Sequence, residues 1–485
     1  MVRILKPMDA VWLLNERGDT PAHVGCLIEC TPPSDAGPEF LLDVVARWRQ
    51  RTTFVEPFNL RPRMVPLPRW EVVPDDEIDL DYHLRHSALP RPGSQRELGV
   101  LVSRLHSHPL DRNRPLWECH VIEGLADGRF AVYFKVHHSQ LDGVAGLRAI
   151  GRTLTADPDA VDHPPIWADR HRAERAAADR DRGAEGAPAG GDDGSAVTRA
   201  PRRGVERLRR AGGSTRAVTR LIGDQVREVA RPRDPGRAVP FRTPTTVFNG
   251  GIHAPRRYAT QHLPMERMRT MAKAAGVTVN DLFLALCGSA LRRYLTEIDA
   301  LPDRDLVAAL PVSVRDAADE GGGNAITFIH GRLGVDVVDP CERLQAVSAS
   351  TRIAKDLLAP VPSSAMDTYT LFLMGPYISQ LAVGLGAHVK PMHNLVVSNV
   401  PGPPEQRYLD GATVDCIFPL SLLFDGQALN VTAVSYAGTF CVGFTGCRDS
   451  LPSMQRLAVY WGEAADDLEQ GLGLGVSARE AEPVA

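Results

Sequence analysis

The sequence has few of the features that mark a disulfide-bonded, metal-binding or hydrolytic protein. Its eight cysteines form no CxxC pair and no regular framework, which is typical of reduced thiols in a cytoplasmic protein. It contains neither an HExxH motif nor a GxSxG nucleophile elbow, so it indicates neither a zinc hydrolase nor a serine hydrolase. With 55 basic and 59 acidic side chains the formal net charge is −4, and nothing global indicates nucleic-acid binding.

Long hydrophobic segments are also missing. The first residues lack the apolar core of a signal peptide and meet Pro7 and Asp9 early, so we expect the protein to stay in the cytoplasm. One uncharged stretch of membrane-spanning length, residues 368–387, is interrupted by Gly375 and Pro376 and diluted by further glycine and polar residues. It predicts a kinked helix that is buried or touches lipid, and not a membrane span.

The chain is long enough for several domains. Its 485 residues, 44% of them hydrophobic, can build two or three domains with a large core. Residues 169–200 are rich in Asp, Arg, Ala and Gly and have too little apolar surface to offset the entropy of ordering, which predicts a disordered linker. The expected parts are an N-terminal domain 1–165, a linker with a basic helix 166–245, a C-terminal domain 246–475 and a tail 476–485.

A basic amphipathic helix is predicted within residues 202–229. Apolar side chains from Val218 to Val229 recur at helical spacing, and arginines cover the remaining surface. Such a helix lies on an anionic membrane or lipid-droplet surface, or it packs on the enzyme's own surface with solvated arginines. The pattern fits both arrangements.

The strongest chemical signal is an HHxxxDG sequence at residues 137–143, directly after the apolar run 130–134. Alternation along a strand places Phe134, Val136 and His138 on one face, and Tyr133, Lys135 and His137 on the other. The two imidazoles should therefore diverge, and only one should touch substrate. We predict that His138 is the general base, because an imidazole can take a proton from an alcohol and return it to a leaving group.

The other motif residues are expected to support that base. Asp142 lies where the loop turns into a helix, and its carboxylate either holds a histidine tautomer or braces the loop against a cation. Gly143 is expected to permit a backbone angle or close approach that a side chain would block. Ser139 is the one nucleophile beside the base, and as its neighbour in an extended segment it should point to the opposite face, which favours direct transfer without an acyl-enzyme. Adjacent histidines that diverge, with no further ligand cluster, also argue against a metal site.

The HHxxxDG motif resembles the signature of coenzyme-A-dependent acyltransferases, which include chloramphenicol acetyltransferase and peptide-synthetase condensation domains. Further segments, in the same order, resemble the bacterial wax ester synthase/diacylglycerol acyltransferase family, and the resemblance covers nearly the whole chain outside the linker. These segments are Met8-Asp9-Ala10, Thr20-Pro21-Ala22-His23-Val24-Gly25, Pro115-Leu116-Trp117-Glu118, Val279-Asn280-Asp281, Pro311-Val312-Ser313-Val314-Arg315, Gly323-Asn324 and Ser398-Asn399-Val400-Pro401-Gly402-Pro403.

The resemblance implies an α+β fold of two chloramphenicol-acetyltransferase-like mixed α/β domains, with the active site in a tunnel between them. It implies an O-acyltransferase that takes fatty acyl-CoA as a substrate, uses no cofactor, and makes triacylglycerol from diacylglycerol or wax ester from a long-chain alcohol. A peripheral place on the inner membrane face or on lipid droplets would follow. The alternatives are acylation of a polyketide lipid, amide formation, or a lipid-droplet coat protein without catalysis.

The resemblance also raises the interest of residues outside the motif. Arg315, by default a surface residue, becomes a candidate partner for Asp142 across the domain boundary. Asn280 and Asp281 would by themselves be read as the cap of a helix over Val279 to Leu295. The family likeness makes these two, with Asn324, Ser398 and Asn399, candidates for substrate binding or structural support of the site.

Overall fold

The computed structural model describes residues 2–5, 7–168, 236–313, 326–359 and 386–475, together with 369, 370, 373–375, 377, 379 and 380. The predicted disordered linker, the basic amphipathic helix, the tail, Arg315 and Asn324 lie outside these residues. The described positions between 369 and 380 are helical, in agreement with the helix predicted there.

The strands, in chain order, are β1 (Val2–Ile4), β2 (His23–Thr31), β3 (Leu60–Arg63), β4 (Arg69–Val72), β5 (Leu84–Ala88), β6 (Trp117–Glu123), β7 (Phe130–His137), β8 (Arg256–Pro264), β9 (Val307–Ser313), β10 (Ile326–Arg332), β11 (Leu395–Pro401), β12 (Tyr408–Leu409), β13 (Ala412–Leu420), β14 (Leu429–Tyr436) and β15 (Thr439–Cys447). The helices are α1 (Pro7–Asn15), α2 (Phe40–Arg49), α3 (Leu80–His83), α4 (Gln95–Ser107), α5 (Gly143–Thr153), α6 (Met265–Ala275), α7 (Val279–Glu297), α8 (Pro340–Leu358) and α9 (Arg456–Gly471).

Two large mixed sheets organise the described part of the chain. The first has the strand order β12-β13-β2-β7-β6-β5, and the second has the order β10-β9-β11-β14-β15-β8. A small third sheet, β1-β4-β3, stands beside α1. Helices α6 to α9 pack on the second sheet around the largest apolar core. This arrangement is the α+β fold with two sheet-rich domains that was predicted.

The C-terminal part of the chain contributes strands β12 and β13 to the first sheet. Strand β13 leaves the C-terminal part of the chain and pairs antiparallel with β2, with Leu420 opposite Gly25 and Thr413 opposite Thr31. Its side chains Val414 and Ile417 are buried in the core of the first sheet. The apolar pattern of residues 412–420 indicates a strand, but a strand pattern does not say which sheet it joins.

Strand β7 confirms the predicted alternation for residues 133–136, but it ends at His137, so His138 lies in the following turn and not on the strand. Phe134 and Val136 belong to the apolar cluster on one face of the sheet, and Tyr133 belongs to the cluster on the other. On that second face Lys135 is fully buried, and its Nζ lies 3.1 Å from a carboxylate oxygen of Glu118. Because β2 and β6 both pair with β7, the strand is fixed on both edges up to its last residue, His137.

Helix α7 also forms as its sequence predicts. Thr278 accepts a hydrogen bond from the backbone N–H of Asp281, and Asp281 returns the bond to the N–H of Thr278, which together form a capping box. The apolar residues Leu282, Phe283 and Leu286 are buried. Among the described residues no single helix has the length and apolarity to cross a membrane, and α6 and α7 reach that threshold only together, across a bend of 95°.

Candidate active site

His138 follows β7 in a turn and lies against an aromatic wall. Its backbone N–H donates to the carbonyl of Ala22 at 2.9 Å, and its ring centroid is 4.3 Å from the indole of Trp12. Burial lowers the pKa of His138 to about 4, and the nearby Asp142 carboxylate opposes that shift. The imidazole is therefore uncharged at neutral pH and able to accept a proton.

His137 has a different set of partners, and they fix its tautomer. Its Nδ1 lies 3.2 Å from the backbone N–H of Ser139 and 2.6 Å from the Ser139 hydroxyl. A backbone N–H can only donate, so Nδ1 is the acceptor and we assign the ring proton to Nε2. That nitrogen is 3.5 Å from Oε2 of Glu16. His137 is thus held by the protein, and the hydroxyl of Ser139 is engaged by His137.

Glu16 and Arg112 hold His137 in place, and neither residue was predicted from the sequence. Oε2 of Glu16 accepts from Nε and Nη2 of Arg112 at 3.0 and 2.8 Å, and Oε1 accepts from the backbone N–H of Ala22 at 2.9 Å. Burial alone would raise the pKa of Glu16, but His137, the Ala22 N–H and Arg112 lower it to about 2. A permanent negative charge therefore ties the end of α1 to His137 and to the chain before β6.

Asp142 caps the helix that follows the motif. It is the N-cap of α5, and its Oδ1 accepts from the backbone N–H of Ala145 at 2.7 Å. The placement of Asp142 at the start of a helix is confirmed. No hydrogen bond joins Asp142 to a histidine within the described residues; its charge acts on His138 through space. Because Arg315 lies outside those residues, the Asp142–Arg315 pair stays a prediction.

Gly143 differs from its sequence-based interpretation. It is the first residue of α5 and is not among the described glycines with positive φ. A Cβ built on Gly143 would meet nothing closer than Cγ2 of Val400, at 4.0 Å, which is ordinary van der Waals contact. Neither the backbone angle nor a contact with the protein requires glycine here, and a close approach of substrate to Gly143 stays a prediction. The same contact shows that β11 runs directly beside the catalytic loop.

Strand β11 brings some of the predicted support residues together. Ser398 and Asn399 precede Val400 on this strand, and Nδ2 of Asn399 donates to Oδ1 of Asn280 at 3.4 Å. Asp281 points elsewhere: it is buried, and its Oδ1 accepts from the hydroxyl of Thr351 at 2.6 Å. Asp281 is thus a structural residue that caps α7 and connects it to α8, in agreement with the helix cap predicted from the sequence.

A cavity of about 180 Å³ opens next to Trp12, between the two parts of the chain. Its charged lining consists of three carboxylates, Glu16, Asp19 and Asp425, and one guanidinium, Arg17. The indole of Trp12 contacts both His138 and Phe424, whose ring centroid is 5.7 Å from that of Trp12. The indole of Trp12 therefore lies between the cavity and the imidazole of the proposed base, His138. A larger groove of about 600 Å³ between α7, α8 and α9 contains none of the motif residues.

Two mixed six-stranded sheets, with the HHxxxDG histidines at the end of a central strand, are the features of the chloramphenicol-acetyltransferase-like fold. The first condensation domain of the calcium-dependent antibiotic synthetase has this fold, with a TM-score of 0.56 at 18% identity over 100% of this chain and 99% of that chain. At that identity the likeness shows the fold alone. The wax ester synthase/diacylglycerol acyltransferase from Marinobacter aquaeolei has a TM-score of 0.76 at 33% identity, covering 97% of this chain and 100% of that one.

Sequence comparison is more specific. Residues 5–283 match the wax ester synthase/diacylglycerol acyltransferase catalytic domain, and residues 322–469 match the WS/DGAT C-terminal domain. A putative diacylglycerol O-acyltransferase of Mycobacterium tuberculosis is 43% identical over 98% of this chain and 99% of its own length. The O-acyltransferase WSD of Acinetobacter baylyi is 35% identical over 95% of both chains. The chain belongs to the wax ester synthase/diacylglycerol acyltransferase family.

Proposed function

We propose that the protein transfers a fatty acyl group from acyl-CoA to a lipid hydroxyl in one direct step. His138 takes the proton from the acceptor hydroxyl while the oxygen attacks the thioester carbonyl. The tetrahedral intermediate then expels the coenzyme A thiolate, which receives the proton from His138. The observation that carries the proposal is the half-buried, uncharged imidazole of His138, directly after a strand that is paired on both edges.

The surrounding residues act on the base without reacting. Glu16 and Arg112 fix His137 and the turn that carries His138, and Trp12 packs on the His138 ring. Positioned proton transfer of this kind typically contributes ~10² to 10⁴ in rate, and alignment of the two substrates contributes further. The mechanism requires no metal and no bound cofactor.

The acceptor is proposed to be diacylglycerol or a long-chain alcohol, giving triacylglycerol or wax ester. The names of the Mycobacterium and Acinetobacter relatives support this choice. The cavity beside Trp12 supports it as well, because one guanidinium against three carboxylates suits an uncharged hydroxyl group better than the phosphates of coenzyme A. Since such acceptors reside in lipid, we propose that the enzyme works as a peripheral protein on the cytoplasmic face of a membrane or on lipid droplets.

No feature of the structure specifically supports either alternative, which are another kind of acyl transfer and a coat protein without catalysis. The likeness to a condensation domain shows the fold and gives no support for amide formation or polyketide-lipid acylation. A coat protein without catalysis would have no use for a buried base whose support reaches through Glu16 to Arg112.

The test is an acyl-transfer assay with radiolabelled palmitoyl-CoA and a panel of acceptors: diacylglycerol, hexadecanol and hexadecylamine. We expect ester products from the two hydroxyl acceptors and little amide. His138→Ala should abolish ester formation in a protein that still melts cooperatively, and His137→Ala should retain more activity. Equal activity in wild type and His138→Ala would refute the assignment of the base.

A further inference from the structure

An apolar hairpin tip projects from the small third sheet. The loop between β3 and β4, residues 64–68, consists of five consecutive apolar residues, although surface loops are normally polar. Val65 is 81% exposed and Leu67 is 71% exposed. Ile4 on β1 pairs with Arg69 at the base of the loop, and its own side chain is 85% exposed. Ile4, Val65 and Leu67 thus form one patch, the apolar tip.

The fold of the small sheet does not need these three side chains. Its other face has a core of its own, and the neighbouring residues Leu5 and Met64 belong to that core. The buried members of the core are Leu5, Leu13, Leu60, Trp70, Leu110 and Leu116. The backbone N–H of Leu5 also donates to the carbonyl of Pro68, which fixes β1 against the loop. The apolar tip is therefore presented outward by a rigid support.

Four arginines lie on the strands that carry the apolar tip. Arg3, Arg61, Arg63 and Arg69 lie on the three strands, and the acidic groups paired with them are Glu56 and Glu71. Four guanidinium groups against two carboxylates leave the rim of the patch positively charged. Aliphatic side chains that protrude within a cationic rim match the surface of an anionic lipid layer, where the headgroups meet the arginines and the hydrocarbon receives the aliphatic groups.

We propose that the apolar tip, Ile4, Val65 and Leu67, inserts into an anionic lipid surface and holds the enzyme there. A second copy of the chain fits the patch less well. A stable protein interface takes about 20–30 residues on each side, whereas this patch is three side chains on a narrow hairpin. The proposal rests on the proposed function for its purpose, because it places the enzyme on the phase that contains the acceptor. It does not depend on residues 202–229.

The connection to the active site is short. Strand β1 is followed by α1, whose nine residues span about 13 Å. Near the far end of this helix Trp12 contacts His138, and Glu16 follows directly after it. A lipid acceptor that leaves the surface near the apolar tip therefore has about one helix length to cover before it reaches the cavity beside Trp12.

The experiment measures flotation of the full-length protein with phosphatidylcholine vesicles that contain or lack phosphatidylglycerol. We expect flotation with the anionic vesicles, weakened by salt. Val65→Asp/Leu67→Asp should weaken it by about tenfold or more, since each change removes an inserted aliphatic group and adds a like charge to the lipid. Val338→Asp is the control, because Val338 is also a strongly exposed valine, at 75%, but lies in the C-terminal part, away from the apolar tip.

A substitution that should strengthen lipid binding provides a second test, because misfolding of the variant could not produce that result. Val65→Trp should strengthen flotation, because indole side chains favour the headgroup region. Unchanged flotation of Val65→Asp/Leu67→Asp, or an equal loss in Val338→Asp, would overturn the proposal. A shift of sedimentation from dimer to monomer with flotation unchanged would also overturn it, in favour of a second copy as the occupant.

Activity assays separate this proposal from the proposed function. Val65→Asp/Leu67→Asp should lose transfer to diacylglycerol in vesicles and keep transfer to a water-soluble alcohol such as butanol. Loss toward both acceptors would contradict a role confined to the lipid surface. A protein that floats through the apolar tip but acylates no acceptor would leave the docking surface standing and refute the proposed function.

Discussion

The imidazole of His138 and the indole of Trp12 lie with their ring centroids 4.3 Å apart at an angle of 31°. Within the described residues this ring contact, and not a hydrogen bond to Asp142, is the closest side-chain support of the proposed base. The same contact removes water from one side of the imidazole, and burial is the largest cause of its lowered pKa. We therefore expect Trp12 to contribute both to the orientation of His138 and to the lowering of its pKa.

Replacing Trp12 should shift the acid side of the pH profile. In the wild type, kcat/KM should fall only as the pH drops toward about 4, where His138 takes up a proton. Trp12→Ala lets water reach the ring, so the pKa of His138 should rise and activity should be lost at a higher pH. Trp12→Phe keeps an aromatic wall and should behave nearly as the wild type. The measurement is kcat/KM from pH 4 to 8; identical acid limbs in Trp12→Ala and the wild type would contradict this role.

The Glu16–Arg112 pair should stabilise the protein and support activity together. Glu16→Gln or Arg112→Met alone should lower the free energy of unfolding by about 1–3 kcal/mol, because each leaves a partner in place without its ion pair. The double variant should cost less than the sum of the two. Urea unfolding of the four proteins gives the coupling, and strictly additive losses would show that the pair is not a unit.

Buried neutral histidines should make the protein sensitive to mild acid. Burial lowers the pKa of His83 and His330 to about 4 and that of His106 to about 3. In the unfolded chain these groups titrate near 6.5, so below that pH unfolding takes up protons. Their contribution is complete above pH 6.5 and is lost as the pH falls toward 4, on the order of 3 kcal/mol for each group.

Thermal melts at pH 7.5, 6.0 and 5.0 measure this loss, which we expect to be steep over that range. The lowered pKa of Glu16 acts in the same direction but only below about pH 4.5, where its unfolded form begins to bind protons. His330→Asn removes one of these histidines, so the melting midpoint of this variant should fall less steeply with decreasing pH than that of the wild type. A midpoint that does not change between pH 7.5 and 5.0 would contradict the prediction.

Acyl transfer should leave no acyl-enzyme. The Ser139 hydroxyl is engaged by Nδ1 of His137 at 2.6 Å, so it is not activated by the proposed base. Ser139→Ala should lower kcat less than about tenfold, because it removes one of two bonds to His137. Incubation with acyl-CoA alone, followed by intact mass spectrometry, should show the unmodified mass. A stoichiometric adduct that disappears when alcohol is added would require a covalent route.

The local sequence pattern predicted the strand and the helix cap of the candidate site. It did not predict the residues that meet only through contacts between distant parts of the chain. The alternation of β7 and the cap of α7 follow from neighbours in sequence, and the structure contains both. Glu16 and Arg112 are 96 positions apart and meet only because α1 packs beside β6 and β7, so no local signal indicates them. Gly143 shows the opposite error: a motif glycine suggested a steric need that the backbone at this position does not have.

The position of strand β13 in the sequence affects when the first sheet can fold during synthesis. The first sheet needs residues 412–420 to cover the edge of β2, and those residues are synthesised long after β2. Until then β2 exposes unpaired backbone groups along Cys26, Leu27 and Ile28, which is the kind of edge that invites pairing between chains. A nascent chain, or one truncated before residue 412, should therefore depend on chaperones, because its first sheet cannot be completed until β13 is available.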